Sequence, residues 1–216
     1  MPAPFITFEG LDGSGKSTHL RRAAEWLRGR GRDVLCTHEP GGTPLGDAIR
    51  GLFLDPSWDR VEPVVEALLV FASRRQHLDE VIEPALAAGT CVLCDRFTDS
   101  SLAYQGAARG LSRPWLEEID RLATGGRRPD HTLLFDLPAE TARERGQSPK
   151  RRRRAGGLDR FDALDLAFYR KVREGYLELA RGAPERIRII DSSGGVEATW
   201  SQVEAALAAT FGGAGA

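Results

Sequence analysis

The chain has 216 residues, of which 30 are Lys or Arg and 31 are Asp or Glu, so its formal net charge is −1. This near-neutral balance argues against a protein whose main role is to coat nucleic acid or an anionic membrane, and a hydrophobic content of 41% argues against wholesale disorder. No apolar run approaches the ~18 residues of a membrane-spanning helix, and the N-terminus lacks the basic and long apolar regions of a signal peptide. We therefore expect a cytoplasmic protein.

Short apolar runs alternate with segments of helical periodicity along the whole chain. The predicted strands cover residues 4–9, 33–38, 90–94, 131–135 and 187–190. The predicted helices cover residues 16–30, 46–54, 62–88 with a break or bend at Pro84, 114–123, 139–145, 164–181 and 196–211. The strands lack clean polar alternation, which is typical of a parallel sheet covered by helices on both faces. We predict one α/β domain over residues 1–216, built on a five-stranded parallel sheet.

Three cysteines are present, and an odd number does not suggest a disulfide framework. Cys91 and Cys94 have the spacing of a metal or redox pair, but their apolar run has no second Cys/His pair nearby. We interpret both as buried strand residues, because a free cysteine behaves as a small hydrophobic side chain.

The segment GLDGSGKST at residues 10–18 matches the phosphate-binding pattern G-x-x-x-x-G-K-[ST], directly after a predicted strand and at the start of a predicted helix. Its glycines allow successive N–H groups to surround an anion, and the helix N-terminus adds positive potential. The alternative is a glycine-rich turn with an incidental lysine. The residues of this predicted nucleotide-phosphate site are Gly10, Leu11, Asp12, Gly13, Ser14, Gly15, Lys16, Ser17 and Thr18.

Lys16 is one of only three lysines in the chain. Its position in the motif places the ammonium group near the β- and γ-phosphates of a nucleotide, and that of Ser17 places a hydroxyl to ligate Mg²⁺.

A phosphate-binding loop does not by itself define a reaction. The chain has neither the Asn-Lys-x-Asp segment of GTPases nor the Leu-Ser-Gly-Gly-Gln signature of ABC-type ATPases. Its length leaves little room for a motor or helicase apparatus. The simplest remaining class is a small kinase that transfers a phosphoryl group between two small molecules.

Charged residues close two of the predicted strands, where an open α/β sheet faces its ligand crevice. Asp95 and Arg96 end the third strand, and Glu39 follows the second. Asp95 is placed to assist Mg²⁺ and Arg96 to clamp a phosphate; a strand-terminal salt bridge is the alternative. Arg50, Arg74 and Arg75 lie on helices that follow or precede these loops, and each is either a residue of the site or a surface arginine.

A basic insert at about residues 144–160 interrupts a predicted helix. From Arg143 to Arg160 there are eight basic and two acidic residues. We favour a lid that closes over the nucleotide and brings guanidinium groups to the transferring phosphoryl group. A solvated loop and a nucleic-acid patch are the alternatives, and the absence of interleaved aromatic residues weakens the second. The candidate catalytic arginines are Arg151, Arg152, Arg153, Arg154 and Arg160.

Together these features resemble the thymidylate kinases, P-loop enzymes that make dTDP from dTMP and ATP. The motifs that carry the resemblance are FEGLDGSGKS at residues 8–17, EPGGT at 39–43, FASR at 71–74, DRFTDSSLAYQG at 95–106 and LDRF at 158–161. The resemblance covers nearly the whole chain and implies phosphoryl transfer from ATP to dTMP for dTTP synthesis, Mg²⁺, and a homodimer formed through the helix at 62–88. The loop lacks an arginine at its variable positions, so it is similar to the bacterial type, whose catalytic arginine comes from the lid.

The resemblance also implies roles for single residues. Asp12 would lie near the sugar 3′-hydroxyl and the acceptor phosphate, Arg74 would contact thymine, and Tyr104 would pack against the deoxyribose and disfavour a 2′-hydroxyl. Arg143 would approach adenine, and Arg160 would close the lid. The implied substrate-binding set is Asp12, Glu39, Pro40, Arg50, Phe71, Arg74, Arg96, Ser100, Ser101, Tyr104 and Gln105.

Within these sets, the predicted catalytic residues are Lys16, Asp12 and Arg96 together with the lid arginines. Arg50 and Arg96 would hold the dTMP phosphate. The predicted metal ligands are Ser17 and Asp95.

Two positions depart from the family pattern. The family usually has an aromatic residue four positions before the arginine that corresponds to Arg74, where it stacks on thymine. Here that position is Val70, and the aromatic residue is Phe71. One residue rotates a helical side chain by about 100°, so either the helix adjusts locally or the stacking partner is lost. His38 stands where the family usually has arginine.

Two other functions are compatible with the loop. One is a kinase of another nucleoside monophosphate or of a deoxynucleoside, and the other is a nucleotide-binding regulatory protein without turnover. A regulatory switch has no use for an acceptor pocket containing Arg50, Arg96 and the Ser-Ser-x-x-Tyr-Gln pattern, which favours an enzyme.

Overall fold

The computed structural model describes residues 3–58, 60–148, 159–161 and 164–212. In these ranges five strands alternate with helices: β1 (Phe5–Gly10), β2 (Val34–His38), β3 (Cys91–Asp95), β4 (His131–Asp136) and β5 (Ile187–Asp191). They form one sheet in the order β2-β3-β1-β4-β5, and each neighbouring pair is parallel. The predicted fold class is confirmed. The order reverses at β1, so β1 and β3 flank a crevice at the carboxyl edge of the sheet.

The helices connect and cover these strands. They are α1 (Lys16–Arg28), α2 (Pro44–Leu54), α3 (Pro63–His77), α4 (Glu83–Ala87), α5 (Thr98–Ser101), α6 (Arg113–Thr124), α7 (Ala139–Gly146), α8 (Leu166–Gly182) and α9 (Val196–Phe211). Two π-helical segments, Leu78–Ile82 and Leu102–Ala108, continue α3 and α5. No helix within the described ranges is long and apolar enough to span a membrane.

The long helix predicted at 62–88 is continuous but changes its hydrogen-bond pattern near Pro84. The π-helical turn Leu78–Ile82 lies immediately before α4, which has Pro84 in its first turn. Proline has no N–H to donate and disrupts a regular α-helix, and the first turn of a new helical segment is where it is tolerated. Residues 98–108, which were not predicted as helical, form α5 and the π-helical segment that follows it.

Both faces of the sheet are buried under helices. On one face, Leu20 and Leu27 of α1 and Trp200 of α9 pack against Phe8 and Phe135. On the other face, side chains of α8 and of the π-helical turn after α3 form two further apolar clusters against the strands. Cys91 and Cys94 are buried in β3 with free thiols, as predicted.

Leu93 provides a test of this core. Its side chain is fully buried in β3, between β2 and β1. We expect Leu93→Ala to lower the free energy of unfolding by about 2–5 kcal/mol, because it removes buried methyl groups and leaves a cavity. Urea denaturation would measure the change, with Val196→Ala at a 56% exposed site as control. A loss below about 1 kcal/mol for Leu93→Ala would contradict the central placement of β3.

Candidate active site

The predicted phosphate-binding segment forms the turn between β1 and α1. Gly10 and Gly13 have φ of 131° and 85°. A Cβ atom at Gly10 would lie 2.4 Å from the carbonyl oxygen of Phe135, and one at Gly13 would lie 2.4 Å from that of Ala142. Side chains are therefore excluded at both positions, and the loop backbone approaches the ends of β4 and α7 closely.

Lys16 lies inside this loop. Its side chain is buried, and Nζ donates to the carbonyl oxygens of Gly10 and Leu11, each at 3.0 Å. Burial, and secondarily the charge of Arg96, lowers the pKa of Lys16 to about 8. Asp12 Oδ1 lies 4.0 Å from Nζ and favours the charged form. The loop thus holds a desolvated ammonium group through hydrogen bonds to two carbonyl oxygens, which phosphate oxygens could replace.

Ser17 and Asp95 face each other across the mouth of the loop. The Ser17 hydroxyl donates to Asp95 Oδ2 at 2.6 Å. Hydroxyl and carboxylate oxygens are the donors that Mg²⁺ prefers, and Mg²⁺ needs few protein ligands because it keeps several waters. These two residues therefore have the right chemistry for a magnesium ion.

An open cleft of about 1750 Å³ extends from the loop along the carboxyl edge of the sheet. It brings together ten of the predicted residues: Asp12, Gly13, Gly15, Lys16, Ser17, Thr18, Glu39, Arg50, Asp95 and Arg96. We call it the donor cleft.

A second cavity of about 640 Å³ adjoins the donor cleft, and we call it the acceptor cavity. Its walls contain ten of the eleven residues of the predicted substrate-binding set: Asp12, Glu39, Pro40, Arg50, Arg74, Arg96, Ser100, Ser101, Tyr104 and Gln105. Phe71 is the exception. Asp12, Glu39, Arg50 and Arg96 line both spaces, so the two ligand sites meet at charged side chains.

Arg96 lies at this junction. Its φ of 75° is the only positive value at a non-glycine residue in the described ranges, and it turns the chain sharply after β3. Nη1 donates to Ser100 Oγ at 3.1 Å and to the Tyr176 hydroxyl at 3.0 Å. Nη2 donates to Asp12 Oδ1 at 3.0 Å and to the Tyr104 hydroxyl at 3.3 Å. Each terminal nitrogen of the guanidinium group therefore donates hydrogen bonds to two oxygen atoms.

Glu9 lies behind Arg96, at the end of β1, and is fully buried. Its carboxylate accepts hydrogen bonds from Phe97 N at 2.7 Å, Ser100 Oγ at 2.6 Å and the Tyr176 hydroxyl at 2.9 Å. Burial, and secondarily Asp99, raises the pKa of Glu9 to about 7. Sequence reasoning did not select Glu9 or Tyr176, although a glutamate inside an apolar strand was a visible signal.

Arg74 forms a second buried ion pair at the base of the acceptor cavity. Nε donates to Glu39 Oε2 at 2.7 Å, and Nη2 donates to Ser101 Oγ at 3.0 Å. His77 Nδ1 lies 3.0 Å from Glu39 Oε1, which holds the carboxylate from its other side. Nη1 of Arg74 is buried 4.0 Å from Asp120 and makes no hydrogen bond within the described residues. Sequence reasoning missed His77.

Phe71 lies outside the acceptor cavity, which corrects its place in the predicted substrate-binding set. It packs against Ala67 and Leu116 in a separate apolar cluster, while Val70 lines the cavity. The one-residue step along α3 turns the ring away from the cavity. Of the two alternatives, a local helix adjustment or a lost stacking partner, the structure shows no adjustment that brings Phe71 into the cavity wall. The aromatic side chains in the cavity wall are instead Phe53, Phe97, Tyr104 and Phe161.

The two ends of the predicted lid lie beside the two ligand spaces. At its start, the α7 residue Gly146 lies against Asp12, and a Cβ atom at Gly146 would lie 3.5 Å from the Asp12 carbonyl oxygen. At its end, Arg160 Nη1 donates to Glu66 Oε1 at 2.6 Å, and Arg160 Nε donates to the carbonyl oxygen of Phe53. Arg151, Arg152, Arg153 and Arg154 lie outside the described residues.

Arg143 and Arg160 do not line either ligand space in this structure. Arg143 is half-buried in the last turn of α7, and its Nε has no hydrogen-bond partner in the described part of the chain. The role of Arg143 at adenine and that of Arg160 in lid closure stay predictions.

The family model described as "Thymidylate kinase" matches residues 8–203. The chain belongs to the thymidylate kinase family. A thymidylate kinase from Geobacter sulfurreducens is 47% identical over 199 residues, covering 92% of this chain and 93% of the relative. One from Nitrosospira multiformis is 46% identical over 211 residues, covering 98% and 100%. The crystal structure of thymidylate kinase from Ehrlichia chaffeensis is 30% identical, has a TM-score of 0.75, and covers 96% of this chain and 99% of that one.

The raised pKa of Glu9 makes the stability of this thymidylate kinase family member depend on pH. The folded state binds this proton more tightly than the unfolded chain does, so its stabilisation is present at low pH and is lost as the pH rises through about 7. Between pH 5 and pH 8, we expect wild type to lose about 2–3 kcal/mol of unfolding free energy relative to Glu9→Gln, which does not titrate. Urea denaturation of both proteins across this range measures the difference. A pH-independent difference would contradict the raised pKa.

Proposed function

We infer that this member of the thymidylate kinase family transfers the γ-phosphoryl group of ATP to dTMP, giving dTDP and ADP for dTTP synthesis. The observation that carries the inference is that the donor cleft at the phosphate-binding loop meets the acceptor cavity at Asp12 and Arg96. A phosphoryl group can pass between two bound nucleotides only where their sites meet, with the reacting atoms aligned. The two relatives described above are both named thymidylate kinase and match this chain over nearly their full length, which supports dTMP as the acceptor.

On the donor side, we propose that the loop N–H groups bind the phosphates of ATP and that Lys16 moves from its two carbonyl acceptors to the β- and γ-phosphates. Ser17 and Asp95 would hold Mg²⁺, and the suitability of their oxygen atoms supports this assignment. When bound, the ion neutralises phosphate charge. The surrounding N–H groups and Lys16 orient the γ-phosphoryl group toward Asp12 and Arg96.

On the acceptor side, Arg50 and Arg96 would hold the dTMP phosphate, whose oxygen bonds to the γ-phosphorus as the bond to the β–γ bridging oxygen breaks. Arg50 Nη1 already donates to the Pro40 carbonyl oxygen at 2.9 Å, which places its guanidinium group in the cavity wall. Asp12 would lie near the 3′-hydroxyl group and the phosphate. Its contact with Arg96 is one that a bound phosphate can replace.

The base and sugar would occupy the inner part of the acceptor cavity. We propose that Arg74 contacts the thymine edge, and its buried Nη1 supports this, because a buried donor gains most from a new acceptor. Ser100, Ser101 and Gln105 line the same space, and Tyr104 would pack against the deoxyribose. Glu39 accepts a hydrogen bond from Arg74 Nε and so holds the Arg74 side chain in position.

We propose that the basic insert is the lid of a single P-loop kinase domain, with Arg151, Arg152, Arg153, Arg154 and Arg160 as the candidate arginines for the transferring phosphoryl group. The positions of its two ends support the lid: α7 ends against the phosphate-binding loop, and Arg160 is anchored beside the acceptor cavity.

Arg143 would contact adenine. We also propose a cytoplasmic location, supported by the three free cysteines, which suit a reducing compartment.

Lys16→Met tests the proposed reaction. We expect it to lower kcat for ATP-dependent phosphorylation of dTMP by at least about 10²–10³-fold, because it removes a preorganised charge at the phosphates. A coupled assay of ADP release with ATP, Mg²⁺ and dTMP measures the rate, and thermal denaturation checks the fold. Lys171→Met, at an exposed position of α8, is the matched control.

The same assay with dCMP, dGMP and UMP separates thymidylate kinase from a kinase of another monophosphate. A base other than thymine would leave buried polar groups of the cavity without hydrogen-bond partners. We therefore expect kcat/KM to be much higher for dTMP than for the other monophosphates. Near-normal turnover by Lys16→Met would remove the loop from the mechanism, and equal kcat/KM for dTMP and dGMP would contradict the proposed acceptor.

We further propose a homodimer formed through α3. Val64, Val65 and Leu68 form one apolar stripe on this helix and are 43%, 46% and 50% exposed, and Leu52 of the adjoining α2 is 53% exposed. Contiguous exposed apolar side chains are typical of an interface. Leu68→Arg should therefore shift the protein from dimer to monomer in sedimentation equilibrium. Val196→Arg, at a 56% exposed site on α9, should not. A monomeric wild-type protein would refute the proposal.

A further inference from the structure

A closed hydrogen-bond network connects Arg96 to Glu9 through two hydroxyl groups. Arg96 Nη1 has two hydrogens, and its two acceptors are Ser100 Oγ and the Tyr176 hydroxyl, at 3.1 and 3.0 Å. Both hydroxyl oxygens also lie within hydrogen-bond distance of Glu9 Oε2, at 2.6 and 2.9 Å. The two hydroxyl oxygens also lie 2.7 Å from each other. Each hydroxyl has one proton, so both can accept from the guanidinium group while at least one donates to Glu9 and the other donates to Glu9 or to its neighbouring hydroxyl.

We propose that Glu9 and Tyr176 are positioning residues, which hold the Nη1 side of Arg96 so that its Nη2 side faces the acceptor phosphate. This inference rests on the proposed function, in which Arg96 binds the phosphate of dTMP. Neither residue lines the acceptor cavity or the donor cleft, so both act through Arg96.

Burial divides the contacts of Arg96 into a fixed set and an exchangeable set. Glu9 is fully buried and Tyr176 is 2% exposed, so water does not compete for their hydrogen bonds to one another. Asp12, which contacts Nη2, has a side chain that is 31% exposed and lines both ligand spaces. A phosphate entering the acceptor cavity can therefore replace the contacts of Nη2 and leave those of Nη1 in place.

The protonation states support this arrangement. Burial, and secondarily the carboxylate of Glu9, raises the pKa of the Tyr176 hydroxyl well above its usual value. Tyr176 therefore keeps its proton, which it can donate to Glu9 or to Ser100 while its oxygen accepts from Arg96. A carboxylate placed two hydrogen bonds behind a guanidinium group also offsets part of the cost of burying that charge.

Preorganisation is the physical benefit. An arginine side chain has several rotatable bonds, and ordering it when a ligand binds weakens the affinity. Here the strand end, β1 and α8 fix the guanidinium group before dTMP arrives. Tyr176 comes from α8, 80 residues beyond Arg96, so this support depends on correct packing of α8 against the sheet.

Tyr176→Phe tests the inference with an almost isosteric change. At pH 8, we expect the KM for dTMP to rise about tenfold, as for the loss of one hydrogen bond to a charged group, while the KM for ATP changes less than twofold. Glu9→Gln should give the same pattern. The double variant should resemble the single variants rather than multiply their effects, since the residues act as a unit. Tyr169→Phe, a buried tyrosine of the same helix, is the matched control.

Thymidine, which has the base and sugar of dTMP but no phosphate, shows whether the effect passes through Arg96. Its inhibition constant against dTMP should be the same, within twofold, in wild type and in Tyr176→Phe. Thermal denaturation should show both proteins to be folded at the assay temperature.

Three outcomes would overturn the positioning role in an enzyme that phosphorylates dTMP. The first is an unchanged KM for dTMP in both single variants. The second is a lower kcat with neither KM changed, which indicates only a smaller active fraction. The third is weaker inhibition by thymidine in parallel with the rise in KM, which indicates a disordered cavity. A wild-type protein without activity on dTMP would instead overturn the proposed function, and this inference with it.

Discussion

The guanidinium group of Arg96, whose side chain is only 16% exposed, is the constraint on which the site depends. A buried charge without partners costs several kcal/mol, so folding places oxygen atoms around it. Ser100, Tyr104, Tyr176 and Asp12 provide them from the segment after β3, from α8 and from the phosphate-binding loop. The backbone accepts a positive φ at the same residue, a conformation that costs about 1–3 kcal/mol and persists only where the surroundings enforce it. The junction of the two ligand spaces is therefore held together by hydrogen bonds and an ion pair that need no nucleotide.

Arg74 follows the same principle at the other end of the acceptor cavity. Its Nε is tied to Glu39, and Glu39 is in turn held by His77, whose second ring nitrogen lies 2.6 Å from Thr37 Oγ1. The acceptor cavity is thus built around two arginines, Arg74 and Arg96, each of which is held by oxygen atoms on part of its guanidinium group. These contacts offset the cost of placing two positive charges in the cavity wall. The remaining N–H groups of both arginines are available to a nucleotide in the cavity.

The apolar part of the cavity wall depends on the phase of α3. Phe71 packs against Leu116 outside the cavity, and Val70 lines the wall. Phe53 and Phe161, whose ring centroids are 5.2 Å apart, come from α2 and from the end of the insert to give the cavity an aromatic surface. The aromatic side chains of the wall thus come from segments that are distant in sequence, and Phe161, at the end of the basic insert, forms part of the acceptor cavity.

The sequence by itself determined the features that depend on neighbouring residues. The phosphate-binding loop, the alternation of strands and helices and the charged strand ends were predictable, because turn chemistry and hydrophobic periodicity are local. Only the tertiary structure decided which way Phe71 faces and which groups support Arg96. Glu9 and Tyr176 are 167 residues apart, and their contact arises from the order of strands in the sheet and the packing of α8 across it. Local patterns carry no information on such contacts, because burial brings the two groups together only after the sheet has formed.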